Sequence, residues 1–387
     1  MNLAAHYHPK RIALTKPVTF NDGVSVYNQS KSYFYRFMER GWRGNQSSPQ
    51  RIKMNILIIG GTRNIGYFLV QRLIAAGHRL TLLNRGISKD DLPDDIPRLR
   101  CDRTDTAQLK RALAGRNFDV VIDMVLYKGQ EAEDIVQILK GHTGHFIAMS
   151  TGQVYLVREG LPRPFHEVDY EGALITMPEP NTYDYEEWLY GSEKRQAEDI
   201  LQKAYQDHQF PYTVLRFPMV NSPRDSFNRL YGYILRIKDG GPILIPETPD
   251  YPLRHIYAKD VVEAIVKLVE RGSSATRAYN ISQEETLSLT DFLTLLGDVM
   301  GIAPQIMRVE RNLLVANAFL PDCSPFSDLW MSELDNTLSK QELGMVYTPL
   351  RTYLTEIVAH YEAHPPLAPA SYKRRHSEKN LVMSNER

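Results

Sequence analysis

The chain has 387 residues, 43% of them hydrophobic, with 46 Lys and Arg against 46 Asp and Glu. This length allows one large α/β domain with an attached lobe, or two small domains. The zero formal charge creates no overall field that attracts nucleic acid, but it does not exclude a local basic patch. No apolar run approaches the roughly 20 residues that cross a bilayer, and two cysteines, Cys101 and Cys323, exclude a disulfide framework. We therefore expect a cytoplasmic protein without a metal site.

Composition divides the chain into four segments. Residues 1–53 carry nine Lys or Arg against two acids and are predicted to be a loosely ordered N-terminal extension. Residues 54–216 alternate regularly between apolar runs and helical patterns, and residues 217–364 are richer in loops and are predicted to form a smaller lobe with some elements returning to the sheet. Residues 365–387 are polar and rich in helix breakers, which predicts a disordered tail.

Buried strands and helices alternate after Met54. Short apolar runs predict strands buried on both faces, and apolar residues three or four apart predict helices. In chain order the pattern gives strand Asn55–Ile59, a helix from Ile65 to Ala76 ended by Gly77, strand Leu80–Leu83, helix Leu109–Leu113, strand Val120–Ile122, helix Ile135–Leu139 and strand Phe146–Met149. Such alternation builds right-handed crossovers and a parallel sheet. The predicted fold class is α/β, a doubly wound parallel sheet of Rossmann type with a smaller C-terminal substrate lobe.

A glycine-rich turn joins the first strand to the first helix. It reads Gly60-Gly61-Thr62-Arg63-Asn64-Ile65-Gly66. Glycines there permit a tight turn and close approach to a pyrophosphate, and the helix N-terminus offers N–H groups to the phosphates. We interpret all seven residues as cofactor-binding; the alternative is an ordinary turn between a strand and a helix.

The end of the second strand favours NADP as the cofactor, with NAD as the alternative. An NAD site usually carries an acid here for the ribose 2′-hydroxyl, whereas this chain has Asn84 and Arg85. Together with Arg63, they would attract a 2′-phosphate through charge-assisted hydrogen bonds. The other interpretation is that both arginines are solvated loop residues. Asp102, after the third strand position, is predicted to contact the adenine unless it is an exposed turn residue.

The segment Tyr190-Gly191-Ser192-Glu193-Lys194 suggests proton transfer coupled to hydride transfer. Tyr190 and Lys194 are one helical turn apart, and an ammonium beside a phenol lowers the pKa of the phenol. The pair can then exchange a proton with a hydroxyl while a hydride moves at a nicotinamide, whose ribose Lys194 can hold. Thr151 follows the predicted strand Phe146–Met149 and is predicted to hydrogen-bond the reacting oxygen. The alternative is a surface helix pair without function.

From Met54 to about Tyr361 the chain resembles the NAD(P)-dependent epimerase/dehydratase family, the extended short-chain dehydrogenases/reductases. The catalytic triad of that family maps onto Thr151, Tyr190 and Lys194. The resemblance makes residues 54–216 the NADP-binding domain and residues 217–364 the substrate lobe.

Other parts of the chain gain expected roles from the same resemblance. Phe217 and Pro218 would lie beside the nicotinamide. Asn221 and Arg254 would contact a nucleotide diphosphate, unless the arginines of this region pair with local acids. The family also implies a homodimer.

Within the family, three segments resemble the branch of chloroplast stem-loop-binding proteins and their bacterial relatives: Gly60-Gly61-Thr62-Arg63, Asp102-Arg103 and Phe118-Asp119-Val120-Val121. Members of that branch can lack the tyrosine, so Tyr190 argues for retained chemistry. Gly152 and Gln153 stand where family dehydratases carry an Asp-Glu pair, which disfavours elimination of water.

The sequence therefore predicts an NAD(P)-dependent oxidoreductase or epimerase acting on a nucleotide sugar or a similar hydroxyl or keto substrate. An RNA-binding protein on the same fold is the main alternative. The zero net charge and the intact Tyr/Lys pair disfavour it. A regulator that senses the cofactor without turnover is the third interpretation.

Overall fold

The computed structural model describes residues 53–272 and 276–385, with side chains up to residue 381. The predicted extension at residues 1–53 lies almost wholly outside these ranges. Within them the strands are β1 (Asn55–Ile59), β2 (Arg79–Asn84), β3 (Arg98–Arg100), β4 (Phe118–Asp123), β5 (Thr143–Met149), β6 (Tyr212–Arg216), β7 (Val220–Asn221), β8 (Ile243–Pro246), β9 (Ile256–Tyr257), β10 (Ala278–Asn280) and β11 (Ile306–Val309).

The helices follow the strands closely in the first half of the described chain. They are α1 (Asn64–Ala75), α2 (Thr106–Leu113), α3 (Gly129–Leu139), α4 (Gln153–Leu156), α5 (Tyr183–His208), α6 (Arg229–Lys238), α7 (Ala258–Arg271), α8 (Leu289–Met300), α9 (Arg311–Ala316), α10 (Thr337–Leu343), α11 (Leu350–Ala363) and α12 (Arg375–Asn385). Short 3₁₀ helices cover Glu167–Tyr170 and Ala370–Arg374. No helix in the described ranges combines the length and the apolar character needed to cross a membrane.

A seven-stranded parallel sheet confirms the predicted fold class. Its order is β10-β6-β5-β4-β1-β2-β3. The chain moves outward from β1 through β2 and β3, then returns to β4 on the other side of β1. In such sheets, ligands bind at the carboxyl ends of the strands where the order reverses. The crevice beyond β1 and β4 is therefore where a site is expected.

Alternating side chains of the strands fill two apolar layers, one on each face of the sheet. Ile56 and Ile58 of β1 pack with Leu69 of α1, whereas Leu57 and Ile59 join the other layer. All four strand residues are fully buried. Helices α1 and α7 cover one face, and α2, α3 and α5 cover the other. This two-sided burial explains why β1 is a continuous apolar run.

The second half of the chain builds the lobe and one edge of the sheet. Strands β8 and β11 pair in parallel, as do β7 and β9. Helices α6, α8 and α11 enclose a third apolar layer that includes Tyr233, Phe292 and Tyr353. Strand β10 pairs with β6 in the main sheet. Residues on both sides of the predicted boundary at 216/217 contribute strands to one sheet. The division into two domains at this point therefore stays a prediction.

The prediction of a disordered tail after residue 364 is wrong for the described part of that segment. It forms the 3₁₀ helix and α12, and the charges of α12 have buried partners. Arg236 of α6 donates to Glu378 at 2.9 Å, and both side chains are 1% exposed. Arg375 donates to Asp239 at 2.7 Å. The charged side chains that suggested disorder form ion pairs with Arg236 of α6 and with Asp239, which follows α6.

Candidate active site

The glycine turn after β1 has the backbone geometry that a close ligand approach requires. Gly60 and Gly61 have φ angles of +90° and +85°, in the left-handed region that favours glycine. A Cβ on Gly66 would lie 2.4 Å from the Cα of Gly61, so no side chain fits there. The turn and the first turn of α1 are thus held in direct backbone contact.

The N-terminus of α1 is left open for an anion. Arg63 is the N-cap residue but makes no capping hydrogen bond through its side chain, and the first turn contains no acid. The Oδ1 atom of Asn64 is buried without a hydrogen-bond partner among the described residues. Uncapped N–H groups and the positive end of the helix dipole favour a phosphate. The residues present therefore fit a dinucleotide pyrophosphate.

Three arginines gather around the turn that follows β2. Arg63 contacts the hydroxyl of Ser88, Arg100 donates to Oδ1 of Asn84, and Arg85 lies 3.8 Å from Asp102. The Nδ2 atom of Asn84 is buried without a partner in the described chain. Arg100 was missed in the sequence, because β3 is only three residues long and its pairing with β2 is not visible in the apolar pattern.

Asp102 has a local structural role as well as its expected place at the sheet edge. Its carboxylate accepts hydrogen bonds from the backbone N–H of Thr104 at 3.0 Å and from the Thr104 hydroxyl at 2.8 Å. The backbone bond is the main cause of the lowered pKa of Asp102. Contact with an adenine stays a prediction.

The structure brings Thr151, Tyr190 and Lys194 together at the carboxyl edge of the sheet. Thr151 follows β5 by two residues, and Tyr190 lies in the second turn of α5, which Thr182 caps by accepting from the N–H of Tyr185 at 3.2 Å. Thr151 lies close enough to the Tyr190 hydroxyl to lower the pKa of that phenol. Tyr127, after β4, adds a second ring 6.4 Å from that of Tyr190, which the sequence reasoning missed.

Lys194 is buried between the ends of two strands. Its Nζ donates to the carbonyl of Leu126 at 2.6 Å and to that of Met149 at 2.9 Å, and the residue is 4% exposed. Burial lowers the pKa of Lys194 to about 8, against the opposing effect of Asp123. Since an ammonium has three donors, one N–H is left for a ligand.

The expectation that Lys194 lowers the pKa of Tyr190 is wrong for the protein without ligand. Burial of the phenol is the main cause that raises the pKa of Tyr190, Tyr127 adds to the rise, and Thr151 only partly opposes it. The residue as a whole is partly exposed. The ammonium is directed at two carbonyls and lies 5.8 Å from the Tyr190 ring centre. Tyr190 is therefore a protonated phenol at neutral pH.

A buried ion pair fixes α5 against the sheet. Arg216 at the end of β6 donates from Nε to Glu198 of α5 at 3.0 Å, and Ser150 donates to the same carboxylate. Arg216 also donates to the hydroxyl of Tyr155 at 2.7 Å. Glu198 lies one turn after Lys194, so this pair sets the position of the helix that carries the catalytic candidates.

The remaining candidates divide between the cleft and the interior. Phe217 is partly buried, Pro218 is buried, and the Phe217 carbonyl accepts from the N–H of Gly152 at 3.0 Å, which places this segment beside Thr151.

Asn221 is 2% exposed, and its amide bonds to His255 at 3.0 Å and to Tyr353 at 3.1 Å. A buried amide with these partners does not contact a substrate, so the structure does not support that role for Asn221.

The arginines of the lobe differ in what they are free to bind. Arg229 pairs with Asp225 at 3.2 Å, as the alternative interpretation expected. Arg254 is partly exposed and donates from Nε to the carbonyl of Gln283 at 2.9 Å, which is its only hydrogen bond to a described residue. Its terminal nitrogens therefore suit a phosphate. No three His, Cys, Asp or Glu side chains of the described chain are arranged to hold a metal ion.

Comparison with known proteins identifies the family of the chain. The family model described as "NAD dependent epimerase/dehydratase family" matches residues 56–140 and 133–282. The chain belongs to this family. Over 300 residues, 74% of this chain and 72% of the relative, it is 28% identical to "Chloroplast stem-loop binding protein of 41 kDa b" from Arabidopsis thaliana.

Solved structures share the fold. A UDP-glucose 4-epimerase with UDP-glucose from Thermotoga maritima superposes with a TM-score of 0.63 at 19% identity, covering 80% of this chain and 99% of the epimerase. A dTDP-glucose 4,6-dehydratase with NAD from Bacillus anthracis gives 0.62 at 16% identity, covering 81% and 97%. The family and these neighbours support an enzyme.

Proposed function

We propose that the protein is an NADP-dependent oxidoreductase or epimerase that acts on a nucleotide sugar or a similar hydroxyl or keto substrate. One observation carries the proposal: Thr151 lies next to the Tyr190 hydroxyl, with Lys194 one helical turn away, at the sheet edge that holds the glycine turn. Thr151 comes from the end of β5, and Tyr190 and Lys194 come from α5, so two separate elements bring together the hydroxyl, phenol and ammonium that this chemistry needs.

The residues divide the chemistry between them. When bound, the nicotinamide supplies or accepts the hydride. Tyr190, protonated at neutral pH, donates its proton to the substrate carbonyl oxygen as the carbonyl is reduced, and Thr151 hydrogen-bonds the same oxygen. Lys194 holds the ribose through its remaining N–H. In the oxidising direction Tyr190 takes the proton from the substrate hydroxyl.

NADP is favoured over NAD by charge. Arg63, Arg85 and Arg100 surround the turn after β2, where an NAD enzyme usually carries an acid. Their guanidinium groups and the unpartnered Nδ2 of Asn84 suit a 2′-phosphate. The dehydratase neighbour is bound to NAD, so the choice of cofactor here depends on these arginines.

The nucleotide of the substrate would lie in the lobe. Arg254 offers its terminal nitrogens to a diphosphate. The epimerase neighbour was solved with UDP-glucose, which supports a nucleotide sugar as the substrate class.

Turnover of UDP- and dTDP-hexoses with NADP⁺ and NAD⁺ tests the proposal. We expect cofactor reduction or sugar epimerisation, with NADP⁺ bound more tightly than NAD⁺. Filter binding to a structured RNA across salt concentrations tests the alternative that the chloroplast relative suggests. Salt-sensitive RNA retention without cofactor binding would reject the enzyme, and tight NADP binding without turnover of any substrate would favour a regulator.

A further inference from the structure

A carboxylate shares the catalytic face of α5. Glu187 precedes Tyr190 by three residues and Lys194 by seven, so the three side chains lie along one stripe of the helix. Lys194 is at the deep end, bound to carbonyls at the strand ends. Glu187 is therefore at the outer end, toward the substrate lobe, where Arg229 and Asp328 act on its charge.

Hydrogen bonds link Glu187 to the hydroxyl of Thr151 through Gln153. The Glu187 carboxylate accepts from Nε2 of Gln153. Thr151 in turn donates to Oε1 of Gln153 at 3.3 Å. Gln153 occupies a place where family dehydratases carry an acid, and the helix thus brings a carboxylate to the same place from another element.

We propose that Glu187 is a catalytic acid–base that moves the proton on the carbon next to the reacting carbonyl. This inference rests on the proposed function, because the carbonyl must lie against Tyr190 and Thr151. The proposal changes one expectation from the sequence. The absence of carboxylates at Gly152 and Gln153 no longer disfavours elimination of water, because Glu187 supplies a carboxylate in their place.

The proton transfer balances within the site. The Glu187 carboxylate removes a proton from the carbon beside the carbonyl, and the C–H electron pair forms a C=C bond while the carbonyl π pair moves to oxygen. The O–H groups of Tyr190 and Thr151 stabilise that oxyanion. Return of the proton regenerates the ketone. Where the next carbon carries a hydroxyl, the oxyanion re-forms the carbonyl, the C=C electron pair moves to form a double bond to that carbon, and its C–O bond breaks; the hydroxide leaves as water with the proton held by Glu187.

The surroundings of Glu187 suit a base of raised strength. Burial is the main cause that raises the pKa of the Glu187 carboxyl, and Asp328 adds to it. Hydrogen bonds from Tyr183 and Gln153 and the charge of Arg229 oppose this rise. A carboxyl with a pKa nearer to neutrality accepts a carbon-bound proton more readily.

Hydrogen exchange on a preformed ketone tests Glu187 without hydride transfer. The full-length protein is incubated in D₂O with dTDP-4-keto-6-deoxyglucose, without added cofactor, and deuterium next to the carbonyl is measured by mass spectrometry. We expect exchange by the wild type, a loss of about 100-fold or more in Glu187→Gln, and a change within about twofold in the matched control Glu186→Gln. Thermal melting checks the fold of each variant.

A pH profile and a second variant keep the test decisive. Wild-type exchange should rise with pH through the raised carboxyl pKa, and Glu187→Asp should retain part of the rate. Equal rates for Glu187→Gln and Glu186→Gln, or wild-type exchange no faster than without protein, would overturn the assignment. Cofactor reduction, measured separately, judges the proposed redox function: hydride transfer without exchange rejects only Glu187, and exchange without hydride transfer rejects only the redox function.

Discussion

Arginine side chains around the turn after β2 decide which dinucleotide the site prefers. Arg100 is exposed and donates to Asn84, and the space beside Gly86 is filled by the same guanidinium group. A 2′-phosphate placed at this turn would meet Arg100 together with Arg63 and Arg85. NAD lacks that phosphate, so these side chains should strengthen binding of NADP without strengthening binding of NAD.

Arg100→Ala should therefore weaken NADP⁺ binding by about tenfold or more, because it removes a charge-assisted hydrogen bond. Binding of NAD⁺ should change by less than about twofold. Calorimetric titration of both cofactors measures the two affinities. Arg116→Ala is the control, since Arg116 precedes β4 at the opposite edge of the sheet and is exposed. An equal loss for NADP⁺ and NAD⁺ would contradict the assignment.

Helix α5 carries Glu187, Tyr190 and Lys194, and its position depends on one buried pair. Glu198 and Arg216 have side chains 8% and 5% exposed, and each is the other's main charged partner. On the outer side of the same helix, Lys203 and Asp207 form an exposed pair at 3.0 Å. The two pairs have similar chemistry and very different solvation.

Glu198→Gln should lower the free energy of unfolding by about 3 kcal/mol, because it leaves the Arg216 charge buried without a counterion. The exposed pair provides the control, and Asp207→Asn should leave stability unchanged within experimental error. Urea unfolding followed by circular dichroism measures both variants. If the two substitutions had equal effects, the buried pair would not be what fixes α5.

At the scale of the whole molecule, sequence patterns predict what is local and miss what is distant. Strand β1 was predicted at its observed bounds, because burial on both faces leaves a continuous apolar run. The glycine turn was found for a similar reason. The pairing of Arg236 with Glu378 joins residues 142 apart, and no local pattern reports it, which is why α12 was taken for a disordered tail.

The candidate site shows the same division. Thr151, Tyr190 and Lys194 can be named as candidates from the sequence, because a strand end and a helical spacing are both visible there, and their catalytic role stays a prediction. Asn221 was misjudged because its partners His255 and Tyr353 lie 34 and 132 residues away. Glu187 was missed for the same reason, since only the fold brings α5 against Gln153.

The central claim is that the phenol and ammonium of α5 act together with the hydroxyl that follows β5, and the rate of hydride transfer tests it most directly. Rapid mixing of the enzyme with cofactor and a nucleotide hexose, followed by nicotinamide absorbance, should give Tyr190→Phe a rate about 100-fold or more below the wild type. Cofactor affinity and the melting temperature should be unchanged, and Tyr185→Phe on the same helix should react normally. Hydride transfer by Tyr190→Phe at the wild-type rate would contradict the account.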